Sequence, residues 1–479
     1  MGVLDGFISW ISPSWGLRRE MARQTLSSLR GRAYEAAAHG RRTSNWRTSN
    51  SSATTEAGTA IVKLRDRSRE MVRNNSWANK AIAVIGNNTI GTGIRPAIST
   101  ESNNKKAEKK IKAAWNMWAD STACDFDGRL NFYGLQKLII RAVAECGECL
   151  IVKDIDAKTQ SVQLRILEGD FIDTNKHTAG TYWGESDFDF YGVRFDKKGK
   201  RIGVWLFERH PEFGNINSTL YKEDQVIHVF DSLRAGQARG VPMGVSGFLR
   251  LRDMSDYEDA QLVRQKVAAC FSVFVQQNGA QVLNTVDDGD RFERVEPGMI
   301  NYLSPGEQVT FGSPPVVEGY ESYTRQVLRG IAAAYGVTYE ALTGDYSQVN
   351  FSSARMAWLE FSRNIAGWQR DIMQPALEKV FTWFLDVFKL KTNSKEQYYA
   401  EWTAPRREMI DPTRETNALV AMIRAGLKSY PEAMRELGYD PEDTLDEAKN
   451  FYELIDKLGL KLTTDLRAQL QPDNTIAEA

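Results

Sequence analysis

The 479-residue chain predicts a mixed α+β protein of more than one cooperating region. Three observations carry this. Apolar residues recur at helical spacing along most of the chain. A central window of about 147 to 232 switches to period two with turn signals between its runs. The length exceeds what one ordinary core organises.

The N-terminal region, 1–60, reads as a basic, partly ordered arm. Its first 50 residues carry eight arginines against Asp5, Glu20 and Glu35 in a Ser/Asn/Thr-rich setting. The opening "GVLDGFISWISPSWGL" is apolar, but Asp5 and Pro13 interrupt it and the arginines follow it, which suits neither a signal peptide nor a membrane span. No later run reaches the roughly 18 uninterrupted apolar residues a spanning helix needs.

Residues 61–90 place Ile61, Leu64, Ser68, Met71, Val72, Ala81, Ile82 and Ile85 in helical register, and Gly91, Gly93 and Pro96 stop the pattern. A second helix, about 104–119, puts Ile111, Ala114, Trp115 and Trp118 on one face and Lys105, Lys106, Lys109 and Lys110 in solvent. A third runs from 134 to 146. The strands "CLIVKDID" and "VQLRIL" then flank a polar turn, "FDFYGVRF" and "IGVWLFER" form a second pair across "DKKGKR", and "QVIHVF" follows. Helix returns over about 246–277, a β-type insert occupies 278–318, and helix resumes at 319–337. Beyond the polar stretch "LTGDYSQVNFSSAR", Trp358, Phe361, Ile365, Trp368 and Ile372 mark a buried helical stripe, with Ser352 or Ser353 as its N-cap and Pro375 as a kink. The region from 411 ends in three short helices divided by Gly426, Pro431, Gly438 and Pro441.

No stretch carries a strong catalytic signature. Gly86 to Gly93 has the glycine spacing of a phosphate loop but lacks its lysine and follows a helix, so it reads as a helix exit with glycines at positive φ. Cys146-Gly-Glu-Cys149 lacks the second ligand pair of a zinc site and reads as two small residues where helix passes into strand. Four cysteines in this length suit a reducing cytoplasm. Aspartates pair at 125/127, 154/156, 187/189 and 287/288/290, all at turns or alternating strand positions where aspartate is common without function. Lys+Arg at 61 against Asp+Glu at 62 argues against a general basic nucleic-acid surface.

Several blocks in one order resemble the lambda-family portal proteins of tailed bacteriophages: "AYEAAAHGRR", "LRDRSREMVRNNSWANKAI" running into "GTGIRP", "RAGQARGVPMG", "YEDAQLVRQKVAA", "YGVTYEALTGDYSQVNFSSAR", "IDPTRETNA" and "ELGYDPEDTLDE". The resemblance implies a portal-type fold. A wing covers 61–245 and a first stem helix 246–277. A clip at 278–318 leads to a second stem helix at 319–337 and a tunnel loop at 338–353. A long kinked wing helix with its following segment occupies 354–410, and a helical crown with tail 411–479. It implies a ring, usually a dodecamer, at one capsid vertex, through which DNA enters during packaging and leaves during ejection. Asp345, Tyr346, Ser347, Gln348 and Asn350 then face the channel. Arg264, Lys266, Arg325 and Arg329 either line it or make intersubunit salt bridges; sequence leaves both open. The partners implied are further copies of the chain, double-stranded DNA by transient contact, the terminase large subunit, a head-completion or tail-adaptor protein, and major capsid and scaffold proteins. No cofactor, metal, membrane or catalysis is expected. The protein would assemble in the host cytoplasm and reside in the virion. The rival readings are a metal-dependent DNA-processing enzyme built on an aspartate cluster, and a head or tail adaptor that forms no ring.

Overall fold

Asparagine starts most of the early helices, because its side chain can accept from the orphan amides of a first turn. In the computed structural model, α1 (Ala53–Asn74) passes through Asn75 into α2 (Ser76–Ile90), and the Asn75 side chain accepts from the amides of Trp77 and Ala78. Asn104 caps α3 (Lys105–Ala119) and Asn131 caps α4 (Phe132–Cys146) in the same way. The structure describes residues 48–178, 186–214, 217–269, 273–277, 307–311, 319–405 and 411–460, with scattered single positions elsewhere. Chain contacts divide it into Met1–Ser52 and Ala53–Ala479. The first unit shows helical backbone at 13–15, 18–19 and 21–22. All that follows concerns the second.

The strand region is antiparallel, as its alternation requires. β1 (Arg95–Thr100) pairs with the distant β11 (Tyr398–Thr403). β2 (Glu148–Ile155) lies between β3 (Val162–Glu168) and β8 (Val226–Phe230). A second sheet orders β4 (Phe188–Phe190), β5 (Val193–Phe195), β6 (Arg201–Phe207) and β7 (Ser218–Lys222). "FDFYGVRF", expected as one strand, is therefore a hairpin. Tyr191 and Gly192, both at positive φ, turn it after Phe190. Period two also explains how β2 serves two cores: Cys149 and Ile151 join the main helical core, while Leu150 and Val152 meet Val204 and Leu206 across the second sheet.

The long aromatic stripe behaves as core. α8 (Phe351–Gly367) and α9 (Gln374–Thr392) are joined by a π-helical turn, Trp368–Met373. Pro375 has no amide to give the preceding turn and its ring crowds that turn's carbonyl, so the helix widens for six residues instead of breaking. The turn aims Gln369 Nε2 at the buried carbonyl of Thr89, 2.7 Å away. Trp115 at the centre packs on Trp118, Phe132, Phe381, Phe384 and Trp402 at ring separations of 5.0 to 6.1 Å.

The expected helix 246–277 is shorter. α5 (Phe248–Ala269) ends before "FSVFV", a β-branched and aromatic run that forms β9 (Val273–Gln277) and pairs with β10 (Glu307–Phe311). α6 (Tyr320–Tyr335) then returns, and α7 (Tyr339–Thr343) is a single short turn before α8. The three short helices expected after 411 are α10 (Pro412–Arg424), α11 (Tyr430–Glu436) and α12 (Pro441–Leu458). Most of the 278–318 insert, with Asp287, Asp288 and Asp290, and most of the arm lie outside the described residues.

Candidate functional site

α5 and α6 run antiparallel. Gly247 faces Ala334 at one end, and Tyr257 stacks on Tyr320 nearer the other. β9 follows α5 and β10 precedes α6 in the chain, and the two strands pair with each other. The inner ends of the two helices are built into the core through Phe248, Leu251, Met254, Leu328, Ile331 and Tyr335. The outer halves are not: Leu262 is 50% and Val263 59% exposed, and Tyr320 and Tyr323 are also exposed. Exposed apolar side chains thus lie along the outer part of both helices. Arg264 is half-buried and Lys266 exposed on this outer part of α5.

At the inner end α6 stops at Gly336, Thr338 caps α7, and α7 stops at Gly344. Gly344 takes φ 72°, which a side chain would resist, and so turns the chain sharply into Asp345. Asp345 is held in place rather than free. Its carboxylate accepts from the Ser347 amide at 3.0 Å, the Ser347 hydroxyl at 2.6 Å and the Tyr339 hydroxyl at 3.1 Å. The Ser347 hydroxyl chiefly, with its amide and Tyr339, holds the carboxyl below its usual range, so the loop keeps its negative charge. Tyr346, Ser347, Gln348 and Asn350 are exposed. Asn350, rather than Ser352 or Ser353, is the cap of α8: its side chain accepts from the Ser353 amide while Ser353 accepts from the Asn350 amide.

The structure brings two of the four basic candidates to this loop. Arg325 pairs with Glu321 at 2.6 Å, and its charge also reaches Asp345. Arg329 lies over the Tyr339 ring at 5.6 Å. Arg264 and Lys266 are on the other helix.

A second constellation escaped sequence reading. Between the two cysteines of Cys146-Gly-Glu-Cys149, Glu148 is wholly buried at the start of β2. Its carboxylate accepts from Nε and one terminal nitrogen of the Arg239 guanidinium, from the Gly240 amide at 3.2 Å and from His228 Nε2 at 3.0 Å, and the other terminal nitrogen of Arg239 donates to the Tyr191 carbonyl. Arg201 reaches His228 Nδ1 at 3.4 Å, which leaves Nε2 as the protonated nitrogen of a neutral ring. Burial would raise the Glu148 pKa, but Arg239 beside it and the His228 bond carry it well below the carboxylate range. Burial lowers that of His228. Gly147, at φ 88°, lets the backbone of Val241 approach to where a Cβ would lie 2.5 Å away. The loop entering α5 is thereby fastened to the α4–β2 corner. The signal available in sequence was the charge itself, set in the apolar run "ECLIV".

Among the described residues, several of the remaining chemical candidates are engaged by the chain itself. Asp125 accepts from the amides of Asp127, Arg129 and Leu130, Asp156 from Lys158 and Thr159, and Asp189 from Trp205 and Arg194. Cys124, Cys146 and Cys149 are free and buried, and burial pushes the first two thiols up to about 12 and the third higher still. Such thiols are poor nucleophiles and poor ligands. Glu168, Asp170 and His210 come within 4.8 Å of one another, but Arg69 bridges both carboxylates and Arg65 lies 3.1 Å from Asp170. No helix among the described residues is long and apolar enough to cross a membrane.

Residues 39–369, from the arm through the polar loop and along α8, match the family model described as "Phage portal protein, lambda family". The chain belongs to that family. The match takes in α5, α6 and the loop at 336–350 and ends in the π-helical turn. Among relatives, the "Probable portal protein" of Halomonas phage phiHAP-1 is 25% identical over 83% of this chain and 81% of that protein. "Portal protein B" of Escherichia phage lambda is 21% identical over 79% of this chain and 81% of that protein. A solved structure titled "Neck of native GTA particle computed with C12 symmetry" is similar at a TM-score of 0.47 and 15% identity, over 80% of this chain and 94% of that one. The elements of this portal protein are themselves mixed α/β, with two core-rooted helices and a polar loop between them and α8.

Proposed function

We propose that copies of this portal protein close into a ring at one capsid vertex and that double-stranded DNA passes along its axis during packaging and ejection. The observation that carries the reading is the antiparallel pair α5 and α6, rooted in the core and uncovered along its outer half. In a ring, that surface meets the next copy, and the pair becomes the stem. β9 and β10 with the insert between them form the clip, where the terminase large subunit docks during packaging and a head-completion or tail-adaptor protein afterwards. The wing faces major capsid and scaffold proteins, and the C-terminal helices form the crown.

Residues 338–353 form the tunnel loop, presenting Asp345, Tyr346, Ser347, Gln348 and Asn350 to the channel. Closed symmetry multiplies one ordered Asp345 into about a dozen carboxylates around one constriction. A ring of like charge repels phosphate, while hydroxyl and amide groups make and break weak contacts with it. The near-neutral chain fits, since a conduit that neutralised many phosphates would bind DNA tightly and resist sliding. Arg325 and Arg329, engaged with Glu321 and Tyr339, moderate the loop's potential from behind. No residue is assigned a catalytic role, and the energy for DNA movement comes from the motor partner.

Native mass spectrometry with negative-stain imaging of the purified protein tests the assembly. A closed ring of about twelve copies with a central hole is expected. A monomer or dimer that persists across salt and concentration, with scaffold and capsid protein added, overturns it.

A further inference from the structure

Among the described residues, the C-terminal helices α10, α11 and α12 bury few side chains, and ion pairs join them to the rest of the second unit. α10 buries no side chain, α11 buries Ala433, and α12 buries Pro441 and Ile455. Lys105 and Lys112 are seven residues apart on α3, two turns along one face. The acidic first turn of α12 sits against them. Lys112 Nζ lies 2.8 Å from Asp440 and 2.7 Å from Asp443, and Lys105 Nζ lies 2.6 Å from Glu442. Arg435 adds a contact to Glu401 at 3.4 Å. Asp440 does double duty, because it also caps α12 by accepting from the amides of Glu442 and Asp443.

The packing beside these pairs is incomplete. A cleft of about 140 Å³ opens beside the Lys112 pairs, lined by Arg95, Tyr133, Pro405 and Gly438 as well as Lys112, Asp440 and Asp443. Glu442 and Asp443 are each more than 60% exposed and so is Lys105, so dissolved ions reach them, while Lys112 and Asp440 at 25% and 26% are reached less directly. Exposed pairs are weak singly and are screened by salt, whereas apolar burial is not. A segment held mainly by such pairs responds to ionic strength while the core does not.

We infer that Lys105 and Lys112 with Asp440, Glu442 and Asp443 form a salt-sensitive latch, which lets the three C-terminal helices detach from α3 as a segment without unfolding the body. Local release of this kind is the low-stability end of the native ensemble. In a particle, the cations that accumulate with DNA would compete for these carboxylates, and its phosphates for the lysines.

Hydrogen exchange of the full-length protein in low and high sodium chloride tests this, with oligomeric state matched between conditions by native mass spectrometry. Amides of α11 and α12 are expected to exchange about threefold to tenfold faster at high salt, while those of β2 and α4 hold their rates. Lys112→Glu should bring the high-salt rate to low salt. Lys105→Glu should do so in part, and adding Glu442→Lys should restore protection, which separates the latch from local damage. Salt-independent exchange in α11 and α12, or unaltered protection in both single variants, overturns the proposal.

Discussion

Glu148 shows how much one buried charge can organise. Removed from water it would be costly, and it is tolerated because Arg239, His228 and the Gly240 amide occupy its carboxylate. Removing it strands Arg239 among buried groups, so Glu148→Gln is expected to cost about 3 to 5 kcal/mol, read from chemical denaturation. The pH dependence has one sign. His228 has its pKa lowered by burial, so the unfolded chain takes up that proton first as pH falls through about 6.5. Glu148 is held below its unfolded value of about 4.3, so its stabilisation, complete above that pH, is lost as acid protonates it. The thermal midpoint should therefore fall steadily from neutral pH downward, and Glu148→Gln should flatten the acid limb. A midpoint unchanged between neutral and acidic pH would remove these two groups from the account. Sequence reading stopped at the flanking cysteines because a pairing across 91 residues of chain leaves no local trace. Asp345 differs: a polar aspartate in a turn was legible, but its bond to Tyr339 depends on how α7 folds back.

Among elements, helices announced themselves best, because capping and period are local. The three C-terminal helices lie where proline, glycine and Ser/Asp caps place them. α8 begins at an Asn350–Ser353 capping box, so Asn350→Ala should destabilise its first turn by about 1 kcal/mol. Faster exchange of the amides that follow it checks this; an unchanged first turn would mean that packing, not the cap, sets the boundary. The misread elements share a cause. A run as short as Val273–Gln277 fits either period, so the sequence alone joins it to the preceding helix, and only its partner strand, from the far side of the insert, makes it β9. The π-helical turn was expected as a kink. Proline set the disturbance, but the Gln369 bond to Thr89 shows that its form depends on a neighbouring helix.

For the whole molecule the decisive feature is surface without a partner. Leu262 and Val263 on the outer part of α5 contribute little to the monomer, so replacing both with aspartate should change its stability by no more than about 1 kcal/mol. If α5 meets the next copy, the same double variant should stay small in native mass spectrometry where the parent assembles. A variant that still forms rings would move the interface elsewhere. The amino-acid sequence by itself determined the mixed helical and antiparallel character, the order of the elements and membership of the portal family, because periodicity, capping and ordered motifs are properties of neighbouring residues. The tertiary structure alone decided that Glu148 anchors Arg239, that Arg329 lies over the Tyr339 ring whose hydroxyl bonds Asp345, and that α12 meets the lysines of α3. Those contacts join residues far apart in the chain, and only the packing of the elements between them fixes which charges finish within reach of one another.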